Sequence, residues 1–534
     1  MDKKLIKIFA AFILPGFFLF TASCSLMHQY DVVILNGTII GGDGNPWYKS
    51  DIGIKNERVA YIGKWGQNKA RLIINADGLY ICPGFIDIHT HADEGIGEIP
   101  TADNYLLQGV TTVVGGNCGG HVFPLKELFQ KIKRKGTAIN FCSLVGHNTI
   151  RQEVMGLKMA DPTPDEMKRM KELIHQEMRA GGLGLSTGLA YMPGTYAKTE
   201  ELIELAGAVA PYGGFYASHI RNQGEGITGA IEEAIRIGEE NGIRVQISHV
   251  KLASDPVWGK MDMITAPIEK ARARGMEVAI DQYPYTATSS GFDSSLPAWC
   301  LEGGQEAFLK RLENPENYQK IKKEVIQRRL TSSRGIDKLK TIYVASYEKD
   351  PSFEGKNLVE ILALQGKKAT VDNGADLIVE IQKSGGASGV FFQMDESDVE
   401  KIMALGYTMI GSDGSIIEFG KGVPHCRSYG TFPRVLSLYV LKRNVLAIET
   451  AIRKMTALPA QTLRLTDRGV IKKGMYADIV VFDLKDIHDT ATYQKPHQYP
   501  SGIRYVFVNG RMAAENGKPT GLFPGKVLYG PGKK

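Results

Sequence analysis

Cysteine is scarce in this chain, six in 534 residues, at positions 24, 82, 118, 142, 300 and 426. No two form a Cys-x-x-Cys pair, and beyond Cys24 the number is odd, so the spacing excludes a disulfide framework. An excess of one charge is lacking as well. The 64 Lys and Arg against 58 Asp and Glu leave only +6, which gives no reason to expect nucleic-acid binding. Beyond the first 24 residues no stretch approaches the ~20 apolar residues that a membrane-spanning helix needs. Repeats and low-complexity tracts are missing, which excludes a solenoid or a disordered array. What is there is globular: 43% apolar, 23% charged, and long enough for an α/β barrel with an accessory domain.

The first 24 residues stand apart. Lys3, Lys4 and Lys7 precede an almost wholly apolar run, 8–20, and Thr21-Ala-Ser-Cys24 follows. Basic, apolar and small-residue regions in that order are the pattern of an export signal. The small residues before a cysteine resemble a lipoprotein signal, although Thr21 stands where Leu is usual. Cys24 is then expected to be lipidated and to tie the mature chain to a membrane, with the bacterial cell envelope as its location, lipid-anchored or periplasmic. An ordinary secretory signal cut nearby is the other reading.

Residues 30–82 read as a small β unit. Asp31-Val-Val-Ile-Leu-Asn-Gly37 is a strand closed by an Asn-Gly turn, with further strands at 50–54, 58–62 and 72–75. From Gly84 the rhythm changes. Apolar strands at 84–89, 110–116, 138–145, 182–187, 214–218, 244–248, 277–282 and 407–412 alternate with helical stretches such as 165–180, 199–210 and 229–241. Thr199, followed by Glu200, Glu201 and Glu204, predicts a capped helix start. Eight strands with helices between them argue for a (β/α)₈ TIM barrel over 83–460. A long charged stretch, 288–345, breaks the rhythm between strands seven and eight. It is too long for a bare loop and reads as an inserted subdomain placed to act as a lid. Residues 466–520 return to β structure, and the two chain ends are expected to pair into one β-sandwich.

Barrels of this kind keep their chemistry at the C-terminal ends of the strands. Strand one ends in His89 and His91, which two-residue strand periodicity turns to one side. Strand two ends in Asn117-Cys118-Gly119, strand five in Ser218-His219, strand six in Ser248-His249, and strand eight in Ser412-Asp413-Gly414. Four histidines, a cysteine and an aspartate thus converge from five strands. Imidazole and thiolate together are a donor set suited to Zn²⁺. His121 and His147 also lie near strand ends but read as packing or supporting residues, and Cys82, Cys142 and Cys300 as small core residues.

Several motifs resemble those of the amidohydrolase superfamily: Pro83-Gly-Phe-Ile-Asp-Ile-His-Thr-His91, Tyr216-Ala-Ser-His219, Gln246-Ile-Ser-His-Val-Lys251, Gly411-Ser-Asp-Gly414, Gly430-Thr-Phe-Pro-Arg434, and the tail from Arg468 through Gly-Met-Tyr-Ala-Asp478. Gly116-Asn-Cys-Gly119 is similar more narrowly to the N-acyl-D-amino-acid deacylases, or D-aminoacylases, which carry a cysteine where most relatives carry a carboxylated lysine. The resemblance spans roughly residues 30–515. It implies a tight zinc held by Cys118, His219 and His249, and a second, weaker metal position at His89, His91 and Asp413. It implies Asp413 as general base, taking the proton of the attacking water and passing it to the leaving amine. It implies Lys251, Tyr191, Tyr283 and Arg427 as the grip on the substrate carboxylate. Ser289 and Ser290, which open the insert, are expected to shape the side-chain pocket. Cys426 stands where the family usually has proline before that arginine. The expected reaction is hydrolysis of an N-acyl-D-amino acid to a carboxylate and a free D-amino acid. Dipeptides with a C-terminal D-residue, cyclic amides and N-acyl L-amino acids stay open as substrates. A lipid-anchored zinc-containing binding protein stays open as a non-enzymatic reading.

Overall fold

The structure, a computed structural model, describes residues 29–66 and 69–533. The expected signal and Cys24 lie outside the described residues. Five strands open the described chain: β1 Tyr30–Ile39, β2 Tyr48–Lys55, β3 Arg58–Gly63, β4 Ala70–Asn75 and β5 Tyr80–Pro83. The barrel strands follow as β6 Phe85–Asp87, β7 Val110–Gly115, β8 Asn140–Ser143, β9 Val145–Gly146, β10 Gly184–Gly188, β11 Phe215–His219, β12 Val245–Ile247 and β13 Val278–Gln282. An insert contributes β14 Ala287–Gly291, β15 Ile342–Ser346 and β16 Ser388–Phe392 before the last barrel strand, β17 Thr408–Ile410. β18 Ile479–Phe482, β19 Ile503–Val508, β20 Arg511–Glu515 and β21 Lys518–Pro519 complete the chain.

Each of the eight expected barrel strands has a counterpart. Strand three is split into β8 and β9 at Leu144, so β6-β7-β8 and β9-β10-β11-β12-β13-β17 form two parallel arcs. Leu144 bridges the split by donating its N–H to Gly115. At the other seam Thr90 bridges Gly414, His91 N–H donates to Gly414 O at 2.7 Å, and Asp413 N–H donates to His89 O at 2.8 Å. These bonds close the barrel with the first and last metal-binding candidates on adjacent strands.

Alternation along the strands explains the layering. Ile86, Ile88, Val114, Cys142, Leu144, Phe215, Ala217 and Met409 form one apolar cluster. Opposite-facing residues such as Phe85, Val113, Phe141, Leu185, Tyr216, Val245 and Ile280 join the apolar faces of the helices. The helix Pro164–Ala180 starts in a capping box, with Thr163 Oγ1 accepting from Glu166 N–H and Glu166 returning the bond. The helix Thr199–Ala206 does not start as expected. Lys198 precedes it without a side-chain cap, and the Thr199 hydroxyl instead donates to Glu233 at 2.8 Å.

Both chain ends pair in one sheet, ordered β21-β20-β19-β18-β5-β1-β2-β3, with β4 added to β1. The join is the antiparallel pair of β18 with β5, Ile479 opposite Pro83. Val32, Ile34, Ile52, Ile54, Ile81, Ile479, Val481 and Phe507 pack inside it. A buried knot couples this sheet to the barrel: Asp478 accepts from Asn509 N–H at 2.7 Å and pairs with Arg468, and Asn509 donates to Asn140 of β8 at 2.8 Å.

The insert is larger than 288–345. Its antiparallel sheet, ordered β14-β16-β15, needs β16 at Ser388–Phe392. Its own core draws on Phe292, Phe308, Val344, Ile361, Ile378 and Phe391. The sequence between 345 and 388 carries helices, Leu358–Leu364 and Val371–Lys383, that belong to this core and not to the barrel. Asp255, after β12, staples the insert down. One carboxylate oxygen accepts from Ser332 Oγ at 2.7 Å and Ser333 N–H at 2.8 Å, and the other pairs with Lys338 at 3.3 Å.

Candidate metal centre

Cys118 is the hinge of the site. Its Sγ lies 3.3 Å from His89 Nε2, 3.6 Å from His219 Nδ1 and 3.4 Å from His249 Nε2. Two clusters therefore share it: Cys118, His219 and His249 on one side, and His89, His91, Cys118 and Asp413 on the other, with all donor atoms of each within 4.8 Å of one another. A tetrahedral zinc with Zn–S of about 2.3 Å and Zn–N of about 2.0 Å sets its sulfur and nitrogen ligands about 3.5 Å apart. The spacing around Cys118 has that edge length, so these residues fit a zinc ion.

The backbone is bent to present them. Cys118, His249 and Asp413 all lie in the left-handed region, at φ 52°, 36° and 52°. Non-glycine residues there cost of order 1–3 kcal/mol each and persist where the surroundings over-determine them. Each lies two or three residues beyond the end of a barrel strand, where the chain turns and its donor atom joins the cluster.

Charge at the centre follows from packing. Burial alone pushes the Cys118 thiol up, but His89, His249 and His219 hold it well below the usual thiol range. Burial works against the Asp413 carboxylate too, yet Arg427, 2.7 Å away through Nη1, holds it well below the usual carboxylate value. Asp413 Oδ1 faces His91 Nε2 at 3.1 Å and His89 Nε2 at 3.4 Å. Burial, reinforced by Lys251 and His219, pushes His249 down to about 3 and so favours the neutral imidazole that a metal needs.

The expected substrate-binding residues border this centre on one side. Lys251 Nζ lies 3.1 Å from His249 Nδ1 and 5.3 Å from the Tyr283 ring centre; the Arg427 guanidinium carbon lies 5.0 Å from the same ring. Burial pushes the Lys251 ammonium down to about 7. The buried Tyr283 hydroxyl makes no hydrogen bond within the described protein. Tyr191 packs edge-on against His219, ring centres 4.6 Å apart. Ser289 lies outside the ionisable cluster, on β14 opposite Val390. Cys426 in place of the expected proline leaves a pinned loop: His425 Nδ1 accepts from Arg427 N–H, and His425 Nε2 faces Ala287 O, both at 3.0 Å. His121 and His147 face Glu177 and Glu201 at 3.5 and 2.9 Å, away from the metal candidates.

Asp281, which no motif singled out, is a supporting hub. Its Oδ1 lies 3.1 Å from His89 Nδ1 and accepts from His249 N–H at 2.9 Å, and its Oδ2 accepts from Gln246 at 2.7 Å. A carboxylate behind an imidazole orients the ring and raises its basicity. Gln223 does similar work, with Nε2 3.1 Å from His249 Nδ1 and Oε1 accepting from Lys251 at 2.8 Å. Asp281 had a signal: it ends strand seven, where no metal ligand was expected. Gln223 had none.

Residues 72–303 and 358–514 match the model of an amidohydrolase family. The chain belongs to the amidohydrolase family. The D-aminoacylase of Alcaligenes xylosoxydans xylosoxydans is 34% identical over 522 residues, 93% of this amidohydrolase and 97% of that chain, which places it in the D-aminoacylase branch. The N-acyl-D-glutamate deacylase of Bordetella bronchiseptica, solved with zinc and a phosphonate mimic of the reaction's tetrahedral intermediate, is similar at 32% identity and TM-score 0.80, over 94% of this amidohydrolase and 99% of that chain. A D-aminoacylase solved to define its binuclear metal centre, with one-metal activation and second-metal attenuation, matches at 33% identity and TM-score 0.79, over 94% and 100%.

Proposed function

We infer that this amidohydrolase is a zinc-dependent deacylase, hydrolysing N-acyl-D-amino acids to a carboxylate and a free D-amino acid. The observation that carries the reading is the Cys118–His219–His249 cluster with tetrahedral edge lengths beside an ionised Asp413. Cys118, His219 and His249 would hold the zinc, and His89, His91 and Asp413, with Cys118 shared, a second and weaker metal. Three protein ligands leave the open position of a catalytic site, which argues against a purely structural metal in a binding protein. Zinc bound there supplies a Lewis acid that acidifies water and polarises the scissile carbonyl.

The chain's own groups do the rest. Asp413 Oδ1, turned toward His89 and His91, is placed to take the attacking water's proton, while Oδ2 stays with Arg427. The proton then passes from Asp413 to the leaving amine nitrogen, so the D-amino acid departs as a neutral amine and not as an amide anion. Arg427 spends one nitrogen on Asp413. The rest of its fork, with Lys251, Tyr191 and the unbonded Tyr283 hydroxyl, suits the substrate's α-carboxylate. Ser289 would line the side-chain end.

The test is turnover of N-acetyl D- and L-amino acids with and without a chelator. D-substrates should be cleaved, lose cleavage on chelation and regain it with zinc, with L-antipodes at least about 100-fold slower. Zinc-loaded protein that cleaves none of them would restore the binding-protein reading.

We also propose that the chain works in a bacterial cell envelope, tied to a membrane through lipidated Cys24. The support is the order of basic, apolar and small residues across 1–24. Cys24→Ala should then move the protein out of the membrane fraction; wild-type protein found only in the cytoplasm would overturn this.

A further inference from the structure

The outer nitrogens of the two best-buried imidazoles meet different partners. His89 has a carboxylate behind it: Asp281 Oδ1 lies 3.1 Å from Nδ1 while Nε2 faces Cys118. His249 has none. Its Nε2 lies 3.4 Å from Cys118 Sγ, and its Nδ1 meets two nitrogens, Gln223 Nε2 and Lys251 Nζ, both at 3.1 Å. Among the described residues Nδ1 makes no other hydrogen bond. The other end of the amide, Gln223 Oε1, accepts from Lys251 at 2.8 Å. Gln223, His249 and Lys251 thus close a triangle.

The backbone around Gln223 is pinned. Arg221 donates to Ala197 O and to Glu233 Oε1, both at 2.9 Å, and Asn222 Oδ1 accepts from Gly224 N–H at 2.8 Å. Ala253 N–H, beyond β12, donates to Gln223 O at 2.8 Å. The amide group itself can still turn about its last bond, which exchanges oxygen and nitrogen at the same two positions.

In the triangle as it stands His249 Nδ1 can only accept, because an amide NH₂ and an ammonium both donate. The ring proton is then on Nε2, the nitrogen that faces Cys118. A nitrogen that ligates zinc carries no proton, and a neutral ring then carries it on Nδ1, where it needs an acceptor. The oxygen at hand is Gln223 Oε1, brought to His249 by a half-turn of the amide. The same half-turn sets the amide NH₂ against the Lys251 ammonium, donor against donor. One amide oxygen can serve the imidazole or the ammonium, but not both.

We propose that Gln223 is a positioning residue that couples the metal ligand to the substrate grip. With zinc in place its carbonyl turns to His249, and Lys251, having lost both acceptors, is released to the substrate's α-carboxylate. The inference rests on the deacylase reading and deepens it: metal favours substrate, and by reciprocity a carboxylate on Lys251 favours metal. No charge changes. His249 stays neutral, its single ring proton leaving Nε2 and Nδ1 gaining one by exchange with water, and Lys251 stays an ammonium.

Glutamate at position 223 discriminates, because a carboxylate accepts from His249 Nδ1–H and from Lys251 at once. Competition with a chromophoric chelator should give Gln223→Glu a zinc Kd about 10-fold lower than that of the wild type. Its KM for an N-acetyl-D-amino acid that the wild type cleaves should rise at least about 10-fold, since Lys251 stays tied down. Gln223→Leu, which offers no oxygen, should move zinc the other way, to a Kd about 10-fold higher. An amide with a merely structural role would leave both variants weaker for zinc and for substrate alike. A Gln223→Glu enzyme whose zinc is no tighter, or whose KM does not rise, overturns the proposal, whether or not Gln223→Leu folds. A wild type that cleaves no N-acyl-D-amino acid overturns the deacylase reading instead. The zinc affinities then decide the coupling alone: tighter zinc in Gln223→Glu supports it, and unchanged or weaker zinc overturns it.

Discussion

Asp413→Asn should lose about 10³- to 10⁴-fold in kcat, the usual worth of a well-placed general base, while zinc content stays near that of the wild type. Asparagine keeps the shape of the side chain and an oxygen to face His89 and His91, but it cannot hold a proton between water and amine. It also frees Arg427, whose guanidinium now lies 2.7 Å from a carboxylate oxygen. The KM for an N-acyl-D-amino acid should therefore change far less than kcat, since the carboxylate grip keeps all its members. Metal analysis and steady-state kinetics on one preparation check both halves. Normal turnover in this variant would remove Asp413 from the proton path.

Cys118→Ser should cut zinc affinity at least about 100-fold, so that dialysis strips most of the metal and with it the activity. The thiolate is the one anionic ligand of the tight set. Three imidazoles surround it and stabilise that charge. A serine hydroxyl in the same place stays protonated and offers a hard neutral oxygen instead of a soft anion. Because Cys118 must be deprotonated and the imidazoles neutral, zinc retention in the wild type should also fall as pH drops. Full occupancy in Cys118→Ser after dialysis would take Cys118 out of the metal's coordination sphere.

The barrel could be read in the sequence because its signals are local. An apolar run of four to six residues that ends in His, Cys or Asp states both the strand and the end that carries chemistry, and Cys118, His219, His249 and Asp413 all announce themselves in this way. What could not be read depends on distant partners. β16 is a short segment, Ser-Gly-Val-Phe-Phe, that becomes a strand only between β14 and β15, so the insert extends past its expected end at 345. Thr199 has the local pattern of a cap, but the carboxylate of Glu233, 34 residues on, offers its hydroxyl a better partner. Gln223 carries no local mark, because its work consists of bonds to His249 and Lys251 on another strand end. Asp281 ends a strand as the ligands do, yet it points at imidazoles and not at the metal position, a distinction only the fold makes.

The central claim is that one thiolate and two imidazoles from separate strands close on a single zinc ion. Anomalous diffraction from zinc-loaded crystals at the zinc edge tests it most directly. The account predicts a dominant peak about 2.3 Å from Cys118 Sγ and about 2.0 Å from His219 Nδ1 and His249 Nε2. A dominant peak coordinated by His89, His91 and Asp413 without Cys118, or one elsewhere in the molecule, would contradict it.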